Sequence, residues 1–347
     1  MKKVLPEAFT FDDVLLRPLA SAIEPREAEL TTRIAGIELG IPLLSAAMDR
    51  VSGPQMAIAL GKLGGLSVIH RNCTIDEQVA MVNEVKKAGV KVAAACGPFA
   101  ADRALALEAA GADAIVIDCA HGHNLNVIKS AKDVKKKLKR AKMIFGNIAT
   151  AEAAKAVVGF VDAIKVGVGP GSICTTRLVS GVGMPQLSAV MEVAEVARTK
   201  KVAVIADGGI RTSGDIAKAL AAGASAVMLG NLFAGTDETP GDIVEWDGRR
   251  YKEYRGMGSK AVIESSSGKE RYLTQGRKAV PEGVEALVPC KGPVADIVAT
   301  LASGIQVGMG YLGAKTISAM QKKAQFVRIS HASALEGKPH SLARVIE

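Results

Sequence analysis

A repeated unit dominates the chain and restricts the folds that it can adopt. From residue 41 to about residue 230, a short aliphatic run, a turn containing Gly or Asp, and an Ala-rich helical stretch recur eight times. The runs predicted to form strands are Ile41–Ala46, Leu66–Ile69, Lys91–Cys96, Ala114–Cys119, Met143–Asn147, Ala163–Gly167, Val202–Ala206 and Ala226–Gly230. Strands that alternate with helices pair in parallel, and eight such units predict a closed (β/α)8 TIM barrel. An open, doubly wound sheet is the alternative fold.

The composition agrees with a parallel sheet that is buried on both faces. Aromatic residues make up only 3% of the chain while hydrophobic residues make up 48%, so Ala, Val, Ile and Leu must fill the interior. Apolar periodicity is weak over about residues 236–291, which predicts either a disordered segment or a functional flap inserted after the eighth strand. Within that stretch, Asp247-Gly248 is typical of a hairpin turn. We expect one catalytic domain over residues 1–347.

Charge and cysteine usage exclude several classes of protein. The formal net charge is +9, but the densest basic run, residues 132–142, lacks interleaved aromatic residues, so we expect a solvated helix face and no nucleic-acid binding. The five cysteines have no CxxC spacing, which argues against a disulfide framework and a zinc site. There is no signal-peptide pattern and no run of about 18 uncharged apolar residues. We expect a cytoplasmic protein that does not cross a membrane.

The candidate functional residues follow the predicted strands. In a (β/α)8 barrel, the chemistry takes place on loops at the carboxyl ends of the strands. The polar and Gly-rich residues at those positions are Met48–Asp49, His70–Asn72, Gly97, Asp118–His123, Asn147, Gly167–Thr176, Asp207–Gly209 and Gly230–Asn231.

Cys174 is the candidate nucleophile among them. It follows a loop with Gly167, Gly169 and Gly171, whose backbone groups can approach an ion closely. Nearby amide dipoles or cations favour a thiolate, the reactive form of cysteine. Buried, unreactive cysteines are equally common, so the spacing alone leaves both interpretations open.

Two neighbouring loops indicate a phosphorylated ligand. ADGG at 206–209 and MLGN at 228–231 follow the last two predicted strands, where many barrels bind a phosphate through backbone amides. Asp207 precedes the glycines of the first loop and can accept hydrogen bonds from both hydroxyls of a ribose.

Motifs over nearly the whole chain resemble one enzyme family. They are FTFDDVLLRP (9–18), SAAMD (45–49), GNIAT (146–150), GPGSICTTR (169–177), ADGGI (206–210), YRGMGS (254–259) and KERY (269–272). The family is that of IMP dehydrogenase and GMP reductase. The resemblance implies that Cys174 attacks C2 of the purine of IMP, that hydride passes to NAD⁺, and that the covalent thioimidate is hydrolysed to XMP.

The resemblance also implies the remaining site residues. Arg271 and Tyr272 match the flap pair that activates water, Thr176 matches the threonine that contacts this water, and Glu282 completes an alternative proton relay. The implied substrate contacts are Ser172, Asp207, Gly209, Gly230, Asn231, Tyr254, Gly256, Met257, Gly258, Met48 and Glu282. Asn231 departs from the serine frequent in the family, so only its backbone amide is expected to contribute.

The implied cofactors are NAD⁺ and a monovalent cation, K⁺. Asp118 and Asn147, with Gly167 and Gly169, match contacts to the dinucleotide. Carbonyl groups of Gly169, Gly171 and Cys174 match the cation ligands, and Glu336 and Gly337 match the part of the site that a neighbouring subunit's tail supplies. A shared site of this kind implies a homotetramer.

Two features concern the position within the family. Most of its dehydrogenases insert a regulatory pair of CBS modules after the second βα unit, whereas here Thr74–Lys87 runs directly into the third predicted strand, so no CBS domain is expected. GMP reductase, which deaminates GMP with NADPH, is the alternative activity. The stretch SSSGKERYLTQ favours the dehydrogenase, because an Arg-Tyr pair serves hydrolysis.

Overall fold

The computed structural model describes residues 7–264 and 280–339. An N-terminal segment precedes the barrel and contains the 3-10 helices Phe11–Asp13 and Pro25–Glu27 and strands β1 (Val14–Leu16), β2 (Thr32–Ile34) and β3 (Ile37–Leu39). Strands β2 and β3 form an antiparallel hairpin, while β1 pairs with β15 (Phe326–Arg328) near the other end of the chain. This pairing ties the two ends of the chain together.

Eight parallel strands form a closed barrel, which confirms the predicted fold. In chain order they are β4 (Leu43–Ser45), β5 (Leu66–Ile69), β6 (Val92–Cys96), β7 (Ala114–Asp118), β8 (Lys142–Ile148), β9 (Ala163–Val166), β10 (Ala203–Asp207) and β11 (Ala226–Leu229). Pairing of β11 with β4 closes the ring, for example at Val227 against Leu43. The carboxyl ends of all eight strands therefore meet at one rim.

Helices surround the barrel in the alternation that the sequence predicts. They are α1 (Pro54–Lys62), α2 (Ile75–Lys87), α3 (Ala101–Ala109), α4 (Leu125–Lys137), α5 (Ala151–Val157), α6 (Thr176–Ser180), α7 (Gln186–Thr199), α8 (Ser213–Ala221), α9 (Lys260–Glu264), α10 (Val294–Tyr311), α11 (Ile317–Lys323) and α12 (His331–Glu336). Their starts follow local rules: the Thr74 hydroxyl accepts from the amide of Glu77, and Thr212 does the same for Asp215. Residues 88–91 alone connect α2 to β6.

Alternation along the strands sorts side chains into two apolar layers. In β6, Ala93 and Ala95 face the barrel interior, whereas Val92, Ala94 and Cys96 pack against the helices. The interior is filled largely by small and aliphatic residues, as the low aromatic content predicts. The barrel is therefore a packed core, and its site has to lie at the rim.

Part of the predicted flap region is regular structure. Strands β12 (Ile243–Trp246), β13 (Arg249–Arg255) and β14 (Glu285–Pro289) form an antiparallel sheet, which we call the finger sheet. The predicted hairpin at Asp247-Gly248 is confirmed, with φ values of 51° and 68°. The sequence predicts the hairpin of β12 and β13 but does not predict β14, because the side chains of β14 are mostly exposed and leave no clear apolar alternation in the sequence.

A buried lysine fixes the root of the finger sheet. The ammonium of Lys252 in β13 donates to the carbonyls of Thr236, Asp237 and Thr239 at 3.1, 3.0 and 2.8 Å. All three N–H groups of this ammonium therefore meet oxygen atoms of the loop after β11. The finger sheet is thus held against the loop that follows the last barrel strand.

Helix α10 is long and apolar enough, by length and composition alone, to span a bilayer, and no other helix of the described residues meets that test. Core helices of globular proteins pass it equally. Here α10 carries Asp296 and packs against α8, α1 and the 3-10 helix Pro25–Glu27. We assign it as the outer helix that follows the eighth barrel strand.

Candidate active site

A cavity of about 270 Å³ opens at the carboxyl rim of the barrel. Its wall includes the loops after β4, β7, β8, β9, β10 and β11, together with residues 254–258 and Glu282. The rim is therefore the candidate site, as the barrel architecture predicts. His70–Asn72 and Gly97, which the sequence placed among the candidates, do not line this cavity.

Arg177 stabilises the loop that carries Cys174 by hydrogen bonds to the backbone on both sides of that loop. The Arg177 guanidinium donates to the carbonyls of Val168, at 3.3 Å, and Met184. A Cβ atom at Gly169 would lie 2.6 Å from Arg177 Cγ, so glycine is required where the loop crosses this side chain. The bracing holds the cysteine loop in one conformation at the cavity wall.

Cys174 begins a chain of polar contacts. Its sulfur lies 3.1 Å from Thr176 Oγ1, and that hydroxyl donates to Glu282 Oε2 at 2.8 Å. Because the hydroxyl proton of Thr176 points at the carboxylate, its lone pairs face the thiol and can accept the thiol proton. The geometry brings together all three of these predicted catalytic residues.

Backbone pairing explains why Glu282 reaches the cysteine loop from more than 100 residues away. The amide of Thr175 donates to the Glu282 carbonyl at 2.9 Å, and that of Val284 donates to Ile173 at 3.0 Å. The Glu282 amide in turn donates to the Gly258 carbonyl at 3.0 Å. We call the Gly258–Glu282 contact the neck, since it joins the two ends of residues 259–281.

Tyr254 and Gly230 form a second part of the cavity. Tyr254 is 3% exposed, and its hydroxyl lies 4.0 Å from Met48 Sδ. Burial raises the pKa of Tyr254 to about 12, although a hydrogen bond with Ser172 acts in the opposite direction. Tyr254 therefore keeps its proton near neutral pH and can donate it in a hydrogen bond to an anion.

An ion pair aligns Tyr254 with the loop after β4. The neighbouring Arg255 binds the buried carboxylate of Asp49, which also accepts from Asn72 Nδ2 at 2.7 Å. Burial alone would raise the pKa of Asp49, but Arg255 and Asn72 lower it by more, so the carboxylate stays charged. Sequence reasoning did not assign Arg255 a role, although it lies within the quoted YRGMGS motif.

Four polar side chains meet at the floor of the cavity. The ammonium of Lys165, on β9, contacts Asp207 Oδ2 at 2.8 Å, Asp118 Oδ1 at 3.0 Å and Asn147 Oδ1. Asn147 Nδ2 also donates to Asp207 Oδ2, at 2.9 Å. Burial alone would lower the pKa of Lys165, but the two carboxylates outweigh it and raise that pKa. Sequence reasoning missed Lys165, whose signal was a single charge within an apolar strand.

The cavity wall includes most of the residues singled out from the sequence. Those that line it are Met48, Asp118, Asn147, Gly167, Gly169, Gly171, Ser172, Cys174, Thr176, Asp207, Gly209, Gly230, Asn231, Tyr254, Gly256, Met257, Gly258 and Glu282. Glu336 and Gly337 lie at the end of α12, are exposed, and do not line it. Arg271 and Tyr272 lie outside the described residues.

Comparison with known proteins assigns this constellation to a family. A family model described as IMP dehydrogenase / GMP reductase domain matches residues 8–340, nearly the whole chain. The chain belongs to the IMP dehydrogenase / GMP reductase family. Members of this family named as dehydrogenases are oxidoreductases, and the resemblance found in the sequence motifs is thereby confirmed.

Relatives from the IMP dehydrogenase / GMP reductase family align from end to end. Proteins named inosine-5'-monophosphate dehydrogenase from Halobacterium salinarum and Methanocaldococcus jannaschii are each 40% identical, covering 97% and 99% of this chain and 94% and 97% of their own length. One from Borreliella burgdorferi is 40% identical over 98% of both chains. The first alignment spans 471 positions against 347 residues here, so that relative contains a stretch without a counterpart. This difference is consistent with a form that lacks CBS modules.

Proposed function

We propose that the protein is an NAD⁺-dependent IMP dehydrogenase that oxidises IMP to XMP through a covalent bond to Cys174. The observation that carries the proposal is the series of polar contacts from Cys174 Sγ through Thr176 Oγ1 to Glu282 Oε2. These contacts lie at the wall of a cavity that also includes the loops at 206–209 and 228–231, which we call the phosphate grip. Family membership supports a purine nucleotide as the substrate. The proposal includes one catalytic domain over residues 1–347, with an insertion at about 236–291 and without CBS modules.

The first half of the reaction needs a thiolate next to the purine. Thr176 accepts the thiol proton and passes its own to Glu282, so the sulfur becomes nucleophilic without a histidine. The sulfur bonds to C2, and the C2 hydrogen leaves as hydride. NAD⁺, when bound, supplies the acceptor for that hydride.

The second half needs an activated water molecule. Water attacks C2 of the thioimidate, the C–S bond breaks, and XMP and the thiol are released. Glu282 first releases to solvent the proton that it took up from the thiol; Thr176 and Glu282 are then placed to take the water proton, and Arg271 with Tyr272 are proposed to act beside them. A relay from water through the Thr176 hydroxyl ends on a carboxylate oxygen of Glu282, which can accept a proton.

The substrate would lie across the two loops that follow β10 and β11. Asp207 accepts from the ribose hydroxyls, while Ser172, Gly209, Gly230, Asn231 and Tyr254 hold the phosphate through amide and hydroxyl donors. Met48, Gly256, Met257, Gly258 and Glu282 surround the base. Asp207 lines the cavity, and within the described residues its Oδ1 has no hydrogen bond, so this oxygen keeps its capacity to accept one.

The residues present fit both implied cofactors by their chemistry. Asp118 and Asn147 line the cavity beside Asp207 and supply the carboxylate and amide that ribose and carboxamide groups need, with Gly167 and Gly169 alongside. Carbonyl oxygens of Gly169, Gly171 and Cys174 are the hard donors that suit K⁺. We propose that Glu336 and Gly337 of a neighbouring subunit complete the K⁺ site in a cytoplasmic homotetramer.

The activity is tested by following absorbance of NADH. Purified protein with IMP, NAD⁺ and K⁺ is expected to form NADH and XMP in equal amounts. Absence of that signal, together with oxidation of NADPH on GMP, would assign the chain to the reductase activity instead.

Thr176→Val tests the proton relay. Valine has nearly the same shape but breaks the hydroxyl link, so we expect kcat to fall about 10- to 100-fold while the Kd for IMP changes little. Thr199→Val is the matched control, because the Thr199 hydroxyl donates to the Val196 carbonyl at the exposed end of α7. An unchanged kcat in Thr176→Val would exclude the relay.

Gly230→Ala tests the phosphate grip. The new Cβ atom would lie 2.7 Å from Tyr254 Oη and 3.2 Å from Met48 Sδ, so the tyrosine has to shift. Loss of one hydrogen bond to a charged phosphate predicts an increase of about tenfold in the KM for IMP. Gly159→Ala, which meets no atom within 4 Å, serves as the control. Equal KM values for the two variants would contradict the assignment.

A further inference from the structure

Among the described residues, Lys165 is the one fully buried cation at the floor of the cavity. It forms ion pairs with two carboxylates, those of Asp118 and Asp207. Its side chain is 4% exposed, and it bridges β10, through Asp207, to β7, through Asp118. Burying an ammonium is costly unless charge and hydrogen bonds compensate it. Here two carboxylates and one amide oxygen take its three N–H groups.

The bridge also determines which oxygen of Asp207 remains available. Lys165 and Asn147 both bind Oδ2, while Oδ1 has no hydrogen bond within residues 7–264 and 280–339. Because a carboxylate is rigid and planar, fixing one oxygen from two directions fixes the direction of the other. Oδ1 of this cavity-lining residue is then held in one direction instead of rotating with the side chain.

We propose that Lys165 is a positioning residue that holds Asp207 for the ribose hydroxyls of the nucleotide and keeps Asp118 apart from it. The inference rests on the proposed function, since it concerns the same nucleotide site. Two carboxylates and one ammonium leave a net charge of −1 at the floor. Without the ammonium, two buried like charges would face each other, and one of them would take up a proton.

The charged surroundings of this cluster come from several elements. They are Asp207 on β10, Asp118 on β7, Arg71 after β5, whose guanidinium donates to the Asp118 carbonyl at 3.5 Å, Tyr254 on β13 and the Cys119 thiol, which contacts the Gly146 carbonyl at 3.3 Å. Arg71 is a second cation in this group; Lys165 is the ammonium that pairs with both carboxylates, at Asp118 Oδ1 and Asp207 Oδ2.

The test compares IMP binding by Lys165→Met and Lys165→Arg. Methionine matches the length of lysine without its charge, so we expect the Kd for IMP at pH 7 to rise about 30-fold, as for loss of a charged hydrogen bond. The ratio of the Kd of Lys165→Met to that of wild type should fall as the pH rises, because the carboxylate that is protonated in the variant then ionises. Lys165→Arg restores the cation and is expected to remain within about fivefold of wild type.

Isothermal titration with IMP alone, from pH 6 to pH 9, supplies the readout without turnover. Lys137→Met removes an exposed lysine of α4 and serves as the control. Thermal melting establishes that each variant is folded, and Lys165→Gln replaces the methionine variant if that one fails to fold. A Kd for IMP of Lys165→Met that stays close to that of wild type would overturn the proposal. So would a Kd that is raised by the same factor at every pH and is not restored in Lys165→Arg. Failure of wild type to bind IMP would instead overturn the proposed function.

Discussion

Cys174→Ala is expected to lose turnover by a factor of at least about 1000 while it still binds IMP. Hydride can leave C2 only after a nucleophile has added there. The cavity wall also includes Cys119, but its thiol donates to the Gly146 carbonyl at 3.3 Å, whereas Cys174 contacts the hydroxyl of Thr176. The contacts proposed for ribose and phosphate involve other side chains, so the Kd for IMP should change less than about threefold.

The control is Cys73→Ala. Burial raises the pKa of Cys73 to about 11, so its thiol stays protonated, and it lies outside the cavity wall. This variant is expected to keep wild-type turnover. Acid quench of wild type during turnover should give a peptide that contains Cys174 with the mass of the purine nucleotide added. Full turnover with Cys174 never modified would rule out the covalent mechanism.

Asp207→Ala is expected to lower kcat/KM for IMP about 1000-fold. Two hydrogen bonds from ribose hydroxyls to a carboxylate contribute about 1.5–3 kcal/mol each, and both are lost. Removal of the carboxylate also takes one of the two anionic partners from the buried Lys165. The ribose contact predicts that the loss falls mainly on the KM for IMP, with a smaller effect on kcat.

Asp133→Ala provides the matched control for this change. Asp133 lies on α4, its side chain is 56% exposed, and it pairs with Lys136 three residues along the helix. Steady-state kinetics with IMP varied at saturating NAD⁺ separate the two parameters. If Asp207→Ala changed kcat alone and left KM as in Asp133→Ala, the ribose assignment would fail.

The barrel could be predicted from the sequence because each strand is a short apolar run with a clear stop. Strand β7 ends at Asp118, β10 ends at Asp207, and β11 ends just before Gly230. These polar and glycine residues mark the strand ends in the sequence, and the strand ends define the rim of the barrel. The architecture then places these residues at one end without any knowledge of distances. Cys174, Asp207 and Gly230 could therefore be assigned to one site before their contacts were known.

The contacts that organise the site could not be predicted in the same way. Lys165 joins residues of three strands, and Arg255 reaches Asp49 across more than 200 positions of the chain. Local pattern rules carry no information about such pairs, because they depend on how distant elements pack. The third strand of the finger sheet, β14, was missed for a related reason: it keeps most of its apolar side chains on the surface.

The neck between Gly258 and Glu282 bears on how proteins of this kind can change over evolutionary time. It joins the ends of residues 259–281 beside the sulfur nucleophile, whatever the length of the intervening chain. Doubling the length of a closed loop adds only about 0.6 kcal/mol of closure entropy, so insertions and deletions there are nearly neutral for folding. Natural selection can therefore rewrite this stretch, which includes the proposed pair Arg271 and Tyr272, while the contacts among Cys174, Thr176 and Glu282 stay the same.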